Sequence, residues 1–150
     1  MLTTEMQELI NIYNIGLVST INEDLSPAVS PKGTFVVVDD TSIAFGNIRS
    51  PQTLANISVR PIVEVCFVDV LSRKVLRVSG SAVVSKKLET DPIVIDIFTK
   101  IYSDYIDLIT DIVLVTISTA EMIYSPAYDI GFSEKDLHSV NLEKLNRLPL

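Results

Sequence analysis

The segment from Arg49 to Thr53 holds the side chains best suited to chemistry in this 150-residue chain. It combines a cation, two hydroxyls and a carboxamide at the predicted start of a helix, with Pro51 at the first helical position. A helix N-terminus attracts anions through its free amides and its dipole, and an arginine can fork onto phosphate oxygens. The segment therefore indicates a phosphate site, although it also fits a plain helix cap at Ser50 beside a solvated arginine. The candidate phosphate ligands are Arg49, Ser50, Gln52 and Thr53.

Two upstream segments extend this candidate site. In Ser30–Gly33, Pro31 cannot donate to a β-ladder, so the strand bends or lies at an edge there. Lys32 supplies a second cation, and the glycine after it lets a ligand approach the backbone. Gly46 and Asn47 place a small residue and an amide at a strand end. Each segment alone is typical of a turn, but their clustering on adjacent hairpin strands favours a site for a phosphorylated, flat aromatic ligand.

Composition excludes several other kinds of function. The net charge of -7 argues against a nucleic-acid surface, because phosphate contacts along a strand need clustered Lys and Arg. The single cysteine, Cys66, and the single histidine, His138, cannot form a disulfide framework or a structural zinc site. Cys66 lies in an apolar run, which favours a buried, inert thiol over a nucleophile.

The chain is predicted to be one soluble domain spanning residues 1–150. It begins without a basic region followed by an apolar run, and it has no apolar stretch long enough to cross a bilayer. We therefore expect a cytoplasmic protein with no membrane partner.

The elements that must position the candidate site are mostly short strands. Hydrophobic residues make up 47% of the chain, and Val and Ile dominate them, which favours strands. Hairpin spacing and alternation predict strands at Ile15–Ile21, Ala28–Ser30, Thr34–Val38, Ser42–Gly46, Ile62–Val68, Lys74–Val84 and Ile112–Ile117, with Glu121–Tyr128 continuing the sheet after a bend. Helices are predicted to begin at caps formed by Thr4, Ser50, Asp91 and Ser133.

Three of these elements carry specific expectations. The near-continuous apolar run at Ile62–Val68 suggests a strand buried on both faces, and Gly80 suggests a bulge within the long strand. The helix after Asp91 is expected to bury a stripe formed by Ile93, Val94, Ile97, Phe98, Ile101 and Tyr105. Strands that are apolar on both faces suit a closed barrel or a sheet covered by a second subunit. Because long crossover helices between the strands are missing, a doubly wound parallel sheet is not expected.

The order of four segments resembles the pyridoxamine 5'-phosphate oxidase-like family of flavin-binding split barrels. These segments are Val29–Gly33, Ala44–Ile57, Arg60–Asp69 and Leu76–Ala82. The resemblance implies a mainly β fold, a six-stranded antiparallel split β-barrel with flanking helices. It also implies a homodimer that holds FMN in a groove between its subunits.

The resemblance further implies a role for each candidate residue. Arg49, Ser50, Gln52 and Thr53 would hold the phosphate, Ser30, Pro31 and Lys32 would lie along the ribityl chain and ring edge, and Gly46 and Asn47 would lie beside the ring. The family often has Lys where Gln52 stands, so one phosphate cation is replaced here.

The sequence favours an FMN-binding oxidoreductase with an unidentified substrate, in which the flavin performs the electron chemistry. Three alternatives stay open: a flavin-binding sensor or carrier without turnover, a deazaflavin-binding split barrel, and a haem-binding split barrel. Dimerisation also has a physical argument, because a mean hydropathy of +0.37 leaves more apolar residues than one interior can cover.

Overall fold

The computed structural model describes residues 1–149, which form seven strands and four α-helices. The strands are β1 (Gly16–Ile21), β2 (Pro27–Lys32), β3 (Phe35–Asp39), β4 (Ser42–Asn47), β5 (Ile62–Asp69), β6 (Lys74–Lys86) and β7 (Asp111–Tyr124). The helices are α1 (Thr4–Ile12), α2 (Pro51–Val59), α3 (Pro92–Ile101) and α4 (Glu134–Asn146), and a short 3₁₀ turn covers Lys87–Glu89.

All seven strands belong to one antiparallel sheet in the order β2-β1-β5-β6-β7-β4-β3. The two edge strands are consecutive in sequence, since β2 ends at Lys32 and β3 begins at Phe35. The sheet curls without closing, and the rings of Phe35 on β3 and Phe67 on β5 meet at 4.8 Å between centroids. The predicted fold class is therefore confirmed as a mainly β split barrel with flanking helices, with seven strands rather than six.

The curl depends on a bulge in the longest pair of strands. The register between β6 and β7 shifts between Ser79 and Gly80, as the sequence predicts. A Cβ atom at Gly80 would lie 2.2 Å from the Thr116 carbonyl oxygen, so only glycine permits this close approach. β6 pairs with β7 on both sides of the bulge, whereas β5 pairs only with its first part, Lys74–Ser81, and β4 pairs with the first part of β7.

The outer face of the sheet differs from the expectation for Ile62–Val68. This strand alternates: Val63, Val65 and Phe67 are buried, whereas Ile62 is 62% exposed. The prediction of burial on both faces is therefore wrong for the single chain. The physical reason is that only the inward residues of β5 reach the core, while its outward residues point away from it.

The buried face of α3 also differs from the prediction. Asp91 caps the helix as expected, accepting a hydrogen bond from the Ile93 amide at 2.8 Å. However, Ile93, Ile101 and Tyr105 are exposed, and the buried positions are Val94, Phe98 and Tyr102. The sequence offered more apolar residues than one face can hold, and packing against β3 and β4 selects the face.

Two boundaries shift as well. The first helix is capped by Thr3, whose hydroxyl accepts from the Met6 amide, and not by Thr4. β7 continues unbroken to Tyr124, so the predicted strand at 121–128 is the end of β7 followed by turns. No helix within residues 1–149 is long and apolar enough to cross a membrane.

Candidate functional site

The start of α2 is an uncapped helix N-terminus. Ser50 occupies the cap position and Pro51 the first helical position, as predicted, but the Ser50 side chain makes no capping hydrogen bond. A serine at this position normally accepts from an amide of the first turn. Here the hydroxyl of Ser50 remains available to a ligand, and the first-turn amides lack a side-chain cap.

A chain of carboxamides fixes α2 against the barrel. Asn56 donates from Nδ2 to Thr20 Oγ1 at 3.0 Å and to Asn22 Oδ1 at 2.9 Å. Its Oδ1 accepts from Gln52 Nε2 at 2.8 Å. Thr20 and Asn56 are both buried, so these bonds are shielded from water and orient the side chain of Gln52.

A cavity of about 320 Å³ lies between the start of α2 and the β1–β2 hairpin. Its polar lining consists of Thr20, Ser30, Arg49, Ser50, Gln52, Thr53 and Asn56. Arg49 is its one charged lining residue within the described chain. Hydroxyls, amides and a single guanidinium therefore converge on one space, which suits the end of an anionic ligand.

Lys32 is not among the residues that line this cavity. It is only 6% exposed, and its Nζ donates to Ser30 Oγ and, at 3.4 Å, to the Pro31 carbonyl oxygen. Burial lowers the pKa of Lys32 from its ordinary value of 10.5. No ion pair within residues 1–149 involves Lys32, so its charge lacks a carboxylate partner there.

The structure thus brings together five of the nine predicted residues, namely Ser30, Arg49, Ser50, Gln52 and Thr53. Lys32 joins them through its hydrogen bond to Ser30, whereas Pro31, Gly46 and Asn47 do not line the cavity. A Cβ atom at Gly46 would lie 2.5 Å from Ile109 Cδ1, so packing alone accounts for this glycine.

Asn47 ends β4 two residues before Arg49, but its side chain contacts the start of β7 and does not line the cavity. Its Nδ2 donates to Thr110 Oγ1 at 3.2 Å and to Asp111 Oδ2 at 3.3 Å. Hydrogen bonds from Lys86 and Thr110 hold the pKa of Asp111 below its usual value, so it is an ionised acceptor. The Asn47 Oδ1 is buried and finds no partner among the described residues, which leaves one acceptor beside the site unsatisfied.

Sequence reasoning missed Thr20 and Asn56. Asn56 follows Gln52 by four residues, which places both on one helix face, and that spacing is the signal that could have found it. Thr20 gives no such signal, because its role depends on the packing of α2 against β1.

Two other hollows lack this chemistry. The larger one, about 540 Å³, lies beside α4, and its charged lining residue, Asp136, is already held in the helix cap. Another of about 410 Å³ lies on the outer face of β1 and β5 and is lined mainly by apolar residues, including Ile15, Leu17 and Val70.

The sequence profile of the pyridoxamine 5'-phosphate oxidase family matches residues 2–124 of this chain. The match covers every strand of the barrel and the whole candidate site, and only α4 and the turns before it lie outside. No curated protein is significantly similar to this sequence.

Several solved structures share the fold. The HupZ protein of Group A Streptococcus superposes with a TM-score of 0.71 at 23% identity, over 83% of this chain and 96% of that one. A candidate pyridoxamine 5'-phosphate oxidase from Lactobacillus delbrueckii gives 0.65 at 22% identity, over 80% and 93%. An FMN-binding protein from Syntrophomonas wolfei gives 0.66 at 14% identity, over 79% and 84%.

Proposed function

The chain belongs to the pyridoxamine 5'-phosphate oxidase family, and on that premise we propose that it is an FMN-dependent oxidoreductase with an unidentified substrate. The observation that carries the proposal is the cavity at the start of α2, where Arg49 and the uncapped Ser50 meet Ser30. That one of the proteins sharing this fold binds FMN supports the choice of cofactor.

The residues of the cavity divide the task of holding the ligand. Arg49 forks onto the phosphate, while Ser50, Thr53 and the first-turn amides of α2 donate to it. Ser30 lines the β2 side of the site, and Lys32 is hydrogen-bonded to it, so that the ammonium group offsets negative charge on a ligand beside Ser30. Bound FMN would supply the electron transfer, and the protein binds, orients and shields it.

Gln52 has a different task from the lysine that the family often carries at this position. Its Nε2 is committed to Asn56 through one hydrogen, so one N–H of the carboxamide remains for a ligand. Replacing a cation with an amide lowers the positive charge of the site. Arg49 and Lys32 therefore carry the electrostatic part of FMN binding.

We further propose that two copies of the chain form the complete flavin site. The outer face of β1 and β5 exposes Ile15, Leu17 and Val70 around its hollow. Contiguous apolar surface of this kind marks interaction sites on soluble proteins, and a second copy would cover it. Light scattering tests the dimer, and a monomer at micromolar concentration would contradict both the dimer and a ligand groove between subunits.

The decisive experiment for the cofactor is reconstitution with FMN, read by visible absorbance and by quenching of flavin fluorescence. We expect saturable binding with one FMN for each chain. A spectrum identical to free FMN at saturating concentration would remove the proposal. The deazaflavin F420 and haem, titrated in parallel, decide between the three possible ligands.

Turnover is tested on the FMN-loaded protein by following oxidation of NADH and NADPH and reduction of the bound flavin. Loss of the flavin absorbance band under anaerobic conditions supports the oxidoreductase. Tight FMN binding without reduction by either nucleotide favours a sensor or carrier instead.

A further inference from the structure

We propose that Lys32 couples ligand binding to proton uptake, so that the site binds its anion more tightly when this lysine is charged. The proposal deepens the proposed function, because it assigns a regulation by pH to the same cavity. The sequence predicts that Lys32 lies near the ligand. Its protonation behaviour, in contrast, depends on its burial and its hydrogen-bond partners in the fold.

The first step is the state of Lys32 without a ligand. Its ammonium group is removed from water, and its hydrogen-bond partners are two neutral oxygens, on Ser30 and Pro31. Neutral oxygens offset only part of the hydration that a buried cation loses. Burial accordingly lowers the pKa of Lys32 below 10.5, and the free protein loses this proton at a lower pH than an exposed lysine would.

The second step is the charge around Lys32 from each neighbouring element. On β1 the paired residue is Gly16, which has no side chain, and on β3 the adjacent residue is Phe35. The carbonyl oxygen of Phe35 accepts from the Tyr102 hydroxyl, whose own pKa is raised by burial. Tyr102 is therefore neutral and cannot serve as a counter-ion to Lys32.

The remaining charged groups lie across or beyond the cavity. Arg49 lines the cavity, and as a cation it offers no counter-charge to Lys32. Glu23 and Arg60 line a separate hollow, which shares Asn56 with the cavity. No carboxylate within residues 1–149 pairs with Lys32, so an anion placed beside Ser30 would supply its counter-charge.

Anion binding and the protonation of Lys32 are thermodynamically linked. An anion at Ser30 favours the charged form of Lys32 and raises its pKa relative to the free protein. Between the free and the bound pKa, binding takes up a proton, and affinity falls as pH rises through that window. One proton taken up corresponds to at most about a tenfold loss of affinity for each pH unit.

Isothermal titration calorimetry with FMN tests this coupling. The observed enthalpy, measured in buffers of different ionisation enthalpy, gives the number of protons taken up at each pH from neutrality up to the ordinary lysine pKa of 10.5, below which the pKa of Lys32 is lowered. Two variants isolate Lys32: Lys32→Arg keeps a cation that does not titrate, and Lys32→Met removes the charge. The exposed Lys135 supplies the control variant Lys135→Met.

We expect proton uptake by wild type and Lys135→Met to grow with pH, and their FMN affinity to fall by up to about tenfold for each pH unit. Lys32→Arg should still bind FMN, and the number of protons taken up on binding should be only that contributed by the titrating groups of FMN. Lys32→Met should bind more weakly and show that same lower count.

Equal proton counts for wild type and Lys32→Arg at every pH would overturn the inference while leaving FMN binding intact. An affinity of wild type that stays constant over the alkaline range would overturn it too, even if the Lys32 variants fail to fold. Absence of FMN binding to wild type at neutral pH would instead defeat the proposed function, and the coupling with it.

Discussion

Two regions of this barrel use the same residue types in opposite ways. In the first region, Lys32 on β2 is buried without a carboxylate partner, and Ser50 at the start of α2 makes no capping bond. In the second region, Lys74 lies 3.0 Å from Glu5 and 2.8 Å from Glu134, and α4 begins in a complete capping box. In the first region, a charge and a cap position lack partners within the fold, and we call these groups unmatched. In the second region, the corresponding groups have their ion-pair and hydrogen-bond partners, and we call them matched.

The matched region, here called the clasp, consists of Lys74, Glu5, Glu134 and Asn141 and connects the first and last helices. Lys74 joins α1 to α4, and Asn141 donates from Nδ2 to the Leu71 carbonyl oxygen at 2.8 Å. Burial by itself would lower the pKa of Lys74, but hydrogen bonds and charges from Glu134 and Glu5 raise it well above its usual range. Groups in the clasp are thus satisfied within the fold and contribute to stability.

The contrast between matched and unmatched polar groups indicates which region is the better candidate for a ligand site. A buried donor or acceptor without a partner destabilises the folded state, so it persists where a ligand supplies the missing partner. Two groups at the α2 site fall short in this way: Lys32 is a buried cation without a carboxylate partner, and Ser50 makes no capping hydrogen bond. Substitutions in the two regions should therefore separate ligand binding from stability.

The largest expected effect is on ligand affinity. Arg49→Ala removes the one charged residue of the cavity wall, and we expect FMN affinity to fall by about 2 kcal/mol, or roughly 30-fold, as for other hydrogen bonds to charged groups. Because the Arg49 side chain is exposed and forms no ion pair within residues 1–149, the free energy of unfolding should stay within about 0.5 kcal/mol of wild type.

Fluorescence titration and urea unfolding measure the two quantities. The matched control is Arg147→Ala, since Arg147 is an exposed residue at the C-terminal cap of α4 that pairs with Glu143. It should leave FMN affinity unchanged. If both arginine variants bind FMN as wild type does, the cavity is not the anion site.

The next effect is on stability, with opposite signs for the two lysines. Lys74→Met breaks two ion pairs with half-exposed glutamates, and we expect a loss of about 1 to 2 kcal/mol after allowing for solvent screening. Lys32→Met removes a buried charge that has no counter-ion, so it should raise the stability of the ligand-free protein by about 1 kcal/mol.

The effect of Lys32 on stability should also depend on pH. Because the pKa of Lys32 is lowered in the folded state, the unfolded chain binds more protons between that pKa and 10.5. The stability of wild type relative to Lys32→Met should therefore rise with pH through this window, by at most about 1.4 kcal/mol for each pH unit. Urea midpoints at neutral and alkaline pH measure it, and a difference that does not change with pH would show that the charge of Lys32 is not penalised by folding.

Local signals in the sequence were sufficient for much of the fold and for half of the site. Asp91 and Ser133 cap their helices as predicted, Gly80 marks the bulge, and the Arg49–Thr53 segment is contiguous, so its side chains meet at one helix start. These features depend on interactions between residues that are close in sequence, which a local pattern records.

Long-range packing determined what the sequence could not predict. The contact between Asn56 and Thr20 joins residues 36 positions apart, and that between Asn47 and Thr110 joins residues 63 apart. The exposure of Ile93 likewise depends on which face of α3 meets the barrel. No pattern within a single element contains these choices, because they arise when separate elements pack.

The smallest effect, and the most direct test of the contrast, comes from the two cap serines. Ser133 accepts from the Asp136 amide at 3.2 Å, while the Asp136 carboxylate accepts from the Ser133 amide at 2.9 Å. Ser133→Ala should therefore cost about 1 kcal/mol of stability, the usual value of an N-cap. Ser50→Ala should cost less than about 0.3 kcal/mol, because no capping bond is lost there.

FMN affinity should give the reverse order for the same pair. Ser50→Ala removes a hydroxyl from the cavity wall and should weaken FMN binding by about 1 kcal/mol, whereas Ser133 lies in α4, away from the cavity, and its alanine variant should bind as wild type does. Chemical unfolding and fluorescence titration of both variants complete the comparison. A Ser50→Ala variant that loses stability and keeps its affinity would make Ser50 an ordinary helix cap, which would remove one of the unmatched groups from which the site is inferred.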